Sequence, residues 1–137
     1  MIFTGSLRQP ELLPYYQQAD VVINPSLSEA FGMSLVEAMA TETPVIATKI
    51  GGMPEIVDDH VTGLLVEPGN PQELADAAIK LISHPDRARE MGTAGRKKVG
   101  QRYSWSKIAA SLVNTYAAIG VELEFNDTQK AVARSLS

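Results

Sequence analysis

At 137 residues and a net charge of −4, the chain is long enough for one domain with a sizeable core, and its 12 Lys and Arg against 16 Asp and Glu leave no basic excess for a nucleic-acid surface. The absence of cysteine excludes disulfides and thiolate metal sites and fits a reducing compartment. No apolar run reaches the ~18 residues of a transmembrane segment and Met1 opens no basic-then-apolar signal pattern, so a soluble cytoplasmic protein is expected.

Met1-Ile2-Phe3-Thr4-Gly5 reads as a strand followed by a loop. Glu11 to Ala19 predicts a short helix with Leu12, Leu13, Tyr15 and Tyr16 as its apolar face, shortened or bent by Pro14, and Arg8 ahead of it reads as a solvated loop residue. Val21 to Asn24 is a β-branched apolar run expected of a buried strand. The next stretch, Pro25 to Ala40, carries two carboxylates, Glu29 and Glu37, around a Phe31-Gly32 turn that opens a run of helix formers from Leu35. Strand, loop, helix is the grammar of an open parallel sheet, which binds ligands at the carboxyl ends of its strands. A helix starting near Gly32 or Met33 leaves its first N–H groups unpaired and its dipole favours an anion, for which phosphate is the natural guest. Carboxylates are good acceptors for sugar hydroxyls, so the pair flanking this anion site points to a ligand built as sugar, phosphate, ribose. The competing roles are structural: dipole or capping partners for the glutamates, an N-terminal cap for Ser34.

Beyond Thr41-Glu42-Thr43-Pro44, Val45 to Thr48 reads as a strand, Gly51-Gly52 as a loop able to approach a ligand closely, and Met53 to Val57 as a short helical turn. Asp58-Asp59-His60 is a solvated turn, since adjacent aspartates and one histidine are not a metal-ligand set. Gly63 to Glu67 is the last strand, ended by Pro68-Gly69. Pro71 opens a helix with Leu74, Ala75, Ala78, Ile79, Leu81 and Ile82 at spacings of three and four. His84 meets a helix dipole or solvent, and Pro85 to Gln101 is a charge-rich helix whose cations Arg96, Lys97, Lys98 and Arg102 are expected to face water. Ser104 is expected to cap a third helix, Lys107 to Ile119, with Ile108, Leu112, Val113 and Tyr116 inward. The tail from Gly120 is weakly patterned.

Glu29-(seven residues)-Glu37, with Pro25-Ser26 ahead of it and Pro44-Val45-Ile46-Ala47 and Gly51-Gly52-Met53-Pro54-Glu55-Ile56-Val57 behind it, closely resembles the C-terminal, donor-binding half of retaining GT-B glycosyltransferases of family 4, the glycosyl transferases group 1. The likeness runs from about Ile2 to Tyr116. It implies an α/β fold: a partial Rossmann-like GT-B C-terminal domain with about four parallel strands and a helical C-terminal section, residues 1–119 forming the nucleotide-sugar domain and residues 120–137 a tail or helix. It implies Glu29 as the catalytic-site carboxylate that takes donor-sugar hydroxyls, the backbone of Phe31, Gly32 and Met33 along the sugar, the N–H groups of Ser34 and Leu35 on the distal phosphate, and Glu37 on the ribose. The implied donor substrate is a nucleotide diphosphate-sugar, with no metal or other cofactor, and the implied reaction is retaining transfer of a hexosyl group to an acceptor hydroxyl. The alternative is a non-catalytic remnant or subunit acting by nucleotide-sugar binding or oligomerisation. In the family the first strand lies in mid-domain, so the acceptor domain and the cations that neutralise the diphosphate are expected from elsewhere. The open sheet edge is expected to be covered by a homo-oligomer or a partner chain. Family members commonly have glycine where Glu42 stands, a left-handed helix-end position that costs another residue roughly 1 kcal/mol, so the helix end is expected to differ locally.

Overall fold

β2 is buried at all four of its positions, Val45–Thr48, which makes it the centre of the sheet that organises the chain. The structure is a computed structural model and describes residues 1–120; the expected tail from residue 121 onward lies outside the described residues. In chain order the elements are α1 (Gln9–Gln18), β1 (Val22–Asn24), α2 (Met33–Ala40), β2 (Val45–Thr48), α3 (Met53–Ile56), β3 (Gly63–Val66), α4 (Pro71–Ser83), α5 (Pro85–Arg102) and α6 (Trp105–Ala118). Two compact units divide the chain, Met1–Val99 and Gly100–Ser137.

In the first unit the strands run parallel in the order β1-β2-β3, with Val22 opposite Val45, Val45 opposite Gly63 and Thr48 opposite Val66. A continuous apolar run is what a strand covered on both faces requires. Side chains alternate across it. Ile46 packs in a cluster with Leu64, Val66, Ala77, Leu81, Ala88 and Met91, which joins β3, α4 and α5. On the opposite face, a Cβ at Gly63 would meet Val45 and Val57 at 3.0 Å or less, so only glycine lets these strands close. Leu35 and Met39 of α2, and Met53 and Ile56 of α3, are fully buried.

Among the described residues the sheet has three strands, one fewer than expected. Met1–Gly5 forms no strand: Met1, Ile2 and Phe3 are 87% or more exposed, because an apolar tripeptide becomes a strand only where a neighbour supplies the ladder. Among the described residues β1 pairs with β2 alone. α1 starts two residues earlier than expected. Its N-cap is Arg8, whose backbone N–H (2.7 Å) and guanidinium (2.9 Å) both donate to the Glu11 carboxylate. Its apolar face is only half covered, with Leu12 and Tyr16 half-buried and Leu13 and Tyr15 exposed.

The end of α2 keeps the left-handed conformation with glutamate in place: Glu42 has φ 64°. Its neighbour gives way instead. Gly92 of α5 lies so close that a Cβ there would stand 1.9 Å from the Glu42 carbonyl oxygen. Lys98 is not on a solvated face but buried, its ammonium donating to the Glu55 carbonyl and to Asp58 Oδ1, both at 2.9 Å. It thereby ties α5 to a carbonyl of α3 and to the turn that follows it. His84 follows α4, with Nδ1 2.9 Å from the Lys80 carbonyl oxygen.

In the second unit α6 begins at Trp105, two residues earlier than expected, with Ser104 as N-cap. No α6 residue is buried. Ile108, Leu112, Val113 and Tyr116, expected inward, are each more than a third exposed; periodicity defines a face and does not by itself bury it.

Candidate functional site

The carboxyl end of β1 carries a polar knot. Asn24 Oδ1 accepts from the Ser26 N–H (3.2 Å) and hydroxyl (2.7 Å), a side-chain turn that reverses the chain after the strand. Asn24 Nδ2 donates to Ser34 Oγ at 3.2 Å, tying the strand end to the first turn of α2. From the end of β2, the buried Thr48 hydroxyl donates to the Ser26 carbonyl at 2.6 Å. The loop is thus pinned from both strands before it reaches Glu29.

Glu29 is half-buried and curls back, its Oε1 accepting the Phe31 N–H at 3.3 Å. Gly32 then takes φ 100°, a conformation closed to most side chains, and serves as the N-cap of α2. Ser34 is therefore not the cap but the second helical residue, and its hydroxyl, accepting from Asn24, keeps its own hydrogen to donate. The Leu35 N–H is already bonded to the Gly32 carbonyl at 3.0 Å. Those of Met33 and Ser34 donate to no acceptor among the described residues, so the groups open at this helix start are one residue earlier than expected. Phe31 and Met33 are exposed beside them.

Gly51-Gly52 supports this loop from beneath. A Cβ at Gly51 would stand 1.7 Å from the Glu29 carbonyl oxygen, and one at Gly52 2.8 Å from that of Ala30. The close approach that these glycines permit is to the protein's own backbone. Lys49, just before them, is held at 2.9 Å by Glu67, which raises its pKa above the ordinary lysine range through that hydrogen bond and charge.

Glu37 lies in the second turn of α2 and is half-buried against α1. Oε1 accepts from Gln9 Nε2 at 2.7 Å and Oε2 from the Tyr16 hydroxyl at 3.1 Å. Burial pushes the Tyr16 phenol above its ordinary pKa, and the Glu37 charge and hydrogen bond push it further. Beside the cluster is a cavity of about 380 Å³ lined by Gln9, Pro10, Leu13, Tyr16, Glu37 and Ala40. In the turn after α3, Asp58 holds Lys98 and Asp59 accepts the Leu65 N–H at 2.9 Å. Asn24, Gln9 and Tyr16 are not among the site residues that the sequence marks. The Asn-Pro-Ser turn after a strand is a signal for the first, whereas nothing local marks the other two, 28 and 21 positions from Glu37.

A family model described as glycosyl transferases group 1 matches residues 1–98. The chain belongs to this family. It is 42% identical over 108 residues to a D-inositol 3-phosphate glycosyltransferase of Segniliparus rotundus, which covers 79% of this chain and 24% of the relative. Its α/β fold matches part of solved GT-B glycosyltransferases. The sucrose-phosphate synthase of Thermosynechococcus elongatus superposes with a TM-score of 0.80 at 37% identity, covering 86% of this chain and 30% of that one. Anabaena HepE in complex with UDP gives 0.73 at 31%, covering 80% and 30%. The chain thus spans only about a quarter to a third of the length of these relatives. Among the described residues, no helix is long and apolar enough to cross a membrane.

Proposed function

We propose that this chain forms the donor side of a retaining, family 4 glycosyltransferase, binding a nucleotide diphosphate-sugar for hexosyl transfer to an acceptor hydroxyl. The observation that carries the reading is the start of α2, where two open N–H groups at Met33 and Ser34 are bracketed in sequence by the half-buried Glu29 and Glu37. The distal phosphate sits on those N–H groups and the Ser34 hydroxyl, where the helix dipole favours negative charge. Sugar hydroxyls donate to Glu29, with the backbone of Phe31, Gly32 and Met33 along the ring. Ribose hydroxyls donate to Glu37. The UDP bound to Anabaena HepE supports the ligand class.

In the reaction, the helix start stabilises charge that grows on the phosphate as the glycosidic bond breaks, a contribution that acts without reorganisation. Glu29 orients the sugar for attack on the same face, and the departing phosphate accepts the acceptor's proton. No metal is required in this scheme. The acceptor site and the remaining diphosphate cations come from protein beyond these residues, in a cytoplasmic assembly. A second reading is a non-catalytic subunit that acts by nucleotide-sugar binding or oligomerisation, with the apolar Met1-Ile2-Phe3 and the open edge of β1, where Ile23 is 39% exposed, as surface for further protein to cover.

The test is titration of the chain with UDP and UDP-glucose, following backbone amide shifts. Saturable shifts from Phe31 to Glu37, weakened roughly tenfold or more in Glu37→Ala, are expected from the loss of a charged acceptor. Absence of shifts at millimolar ligand refutes the donor site. A glycosyl-transfer or donor-hydrolysis signal abolished in Glu29→Ala establishes the enzyme over the subunit.

A further inference from the structure

A glutamate on a helix surface is ordinarily free to sample many rotamers, and a ligand that needs it in one must restrict it at the moment of binding. Glu37 is already restricted. Its two oxygens are taken one each by Gln9 Nε2 at 2.7 Å and the Tyr16 hydroxyl at 3.1 Å, donors from opposite ends of α1. α1 is itself fixed where Tyr16 lies: the buried Thr43, just past the end of α2, donates its hydroxyl to the Tyr16 carbonyl at 2.6 Å. Thr41, whose hydroxyl donates to the Ala38 carbonyl at 2.7 Å, brings its oxygen to 2.9 Å from the Thr43 hydroxyl oxygen. Tyr16 is therefore anchored at its backbone and at the far end of its ring.

A carboxylate oxygen has two lone-pair directions, so each Glu37 oxygen that accepts one bond from α1 keeps one for a ligand. Two acceptors in one rigid plane match two hydroxyls on adjacent carbons. The cavity beside the carboxylate, about 380 Å³, leaves room for such a group. The α1 donors thus orient the site without filling it.

We infer that Tyr16 and Gln9 are positioning residues, which lock the Glu37 carboxylate in the orientation that receives the vicinal 2′- and 3′-hydroxyls of the donor's ribose. The inference rests on the reading of Glu37 as the ribose acceptor. Support for an oriented carboxylate from residues that never touch the ligand is a recurrent requirement of binding sites.

The test compares the full chain and its variants against two probes, UDP and 2′,3′-dideoxyuridine diphosphate, by calorimetric titration or amide shifts. Tyr16→Phe, which removes one hydroxyl and keeps the ring, is expected to weaken UDP about three- to tenfold and to leave the dideoxy compound unchanged, in line with one lost hydrogen bond to a charged group. Gln9→Leu is expected to act in the same sense, and Gln9→Glu more severely because it sets a like charge against Glu37. Equal weakening of both probes in Tyr16→Phe overturns the inference, because a variant that merely loosens α1 does not distinguish ribose from dideoxyribose. Unchanged UDP affinity overturns it as well. The underlying reading fails in a different way: the unmodified chain then binds the two probes equally and Glu37→Gln changes neither.

Discussion

Gly51→Ala is the sharpest probe of how the site is held. The residue has φ 53°, where an alanine is strained by roughly 1–2 kcal/mol. Its new Cβ would lie 1.7 Å from the Glu29 carbonyl oxygen, a distance that must open by more than about 1 Å before it resembles a real contact. Neither side yields easily, because both atoms belong to loops pinned by Thr48 and by the sheet; overpacking of this kind costs about 1–3 kcal/mol. The two together give a loss of roughly 2–5 kcal/mol, which lowers Tm by ~10 °C or more in a domain of this size. Gly69→Ala is the matched control. Its φ is 74° but nothing lies within 4 Å of the new Cβ, so only the backbone strain remains, about 1 kcal/mol, partly offset by a less flexible unfolded chain. Urea denaturation of the two variants separates strain from collision. If Gly51→Ala proves no more destabilising than Gly69→Ala, the packing of this loop on Glu29 is not as tight as the geometry states, and the argument fails. UDP titration of any folded Gly51→Ala protein is expected to show weakened binding, because the displaced peptide is the one that carries Glu29.

Lys98→Met leaves the Glu55 carbonyl and Asp58 without the ammonium and is expected to destabilise by about 1–3 kcal/mol in urea denaturation; a change below ~0.5 kcal/mol would show that the buried amine contributes packing alone. Glu42→Gly removes the strain of the left-handed residue at the loss of an exposed contact with Arg96 (3.4 Å), and is expected to stabilise by roughly 0.5–1 kcal/mol in the same assay. Tyr16 is raised above the ordinary tyrosine value of about 10, so its folded state holds the proton more tightly than the unfolded chain does. That contribution to stability is complete below about pH 10 and disappears as pH rises through the folded value. Ultraviolet titration is expected to show Tyr16 ionising late in comparison with the Tyr16→Phe protein, and Glu37→Gln is expected to move that ionisation back toward its ordinary value while burial retains part of the shift.

Local pattern carried most of the first unit. Val45 to Thr48 was legible because a strand covered on both faces has no alternation to blur it, and the start of α2 was legible because glycine followed by helix formers marks a helix beginning. The two carboxylates could be placed relative to that start from spacing alone. What escaped were features set by distant neighbours. Met1–Gly5 has the composition of a strand, but whether it pairs is decided across the sheet and not within the segment. Lys98 sits in a charge-rich helix, and its burial goes with partners some forty positions away, the Glu55 carbonyl and Asp58. Gln9 and Tyr16 reach Glu37 across a loop and a strand, a meeting no periodicity encodes. Gly51-Gly52 was recognisable as a close approach, but the sequence does not say to what.

The interlock between the loops after β1 and β2 bears on how such a domain can be re-engineered. Ser26, Glu29 and Ala30 present their carbonyl oxygens to Thr48, Gly51 and Gly52, so the outer loop has its shape only while the inner one is glycine at two successive positions. A donor-specificity graft that exchanges residues 25–32 alone would set a foreign backbone against a surface with no slack to receive it. Carried across together with residues 48–52, the same segment arrives with its own foundation, and the pair behaves as the smallest exchangeable piece.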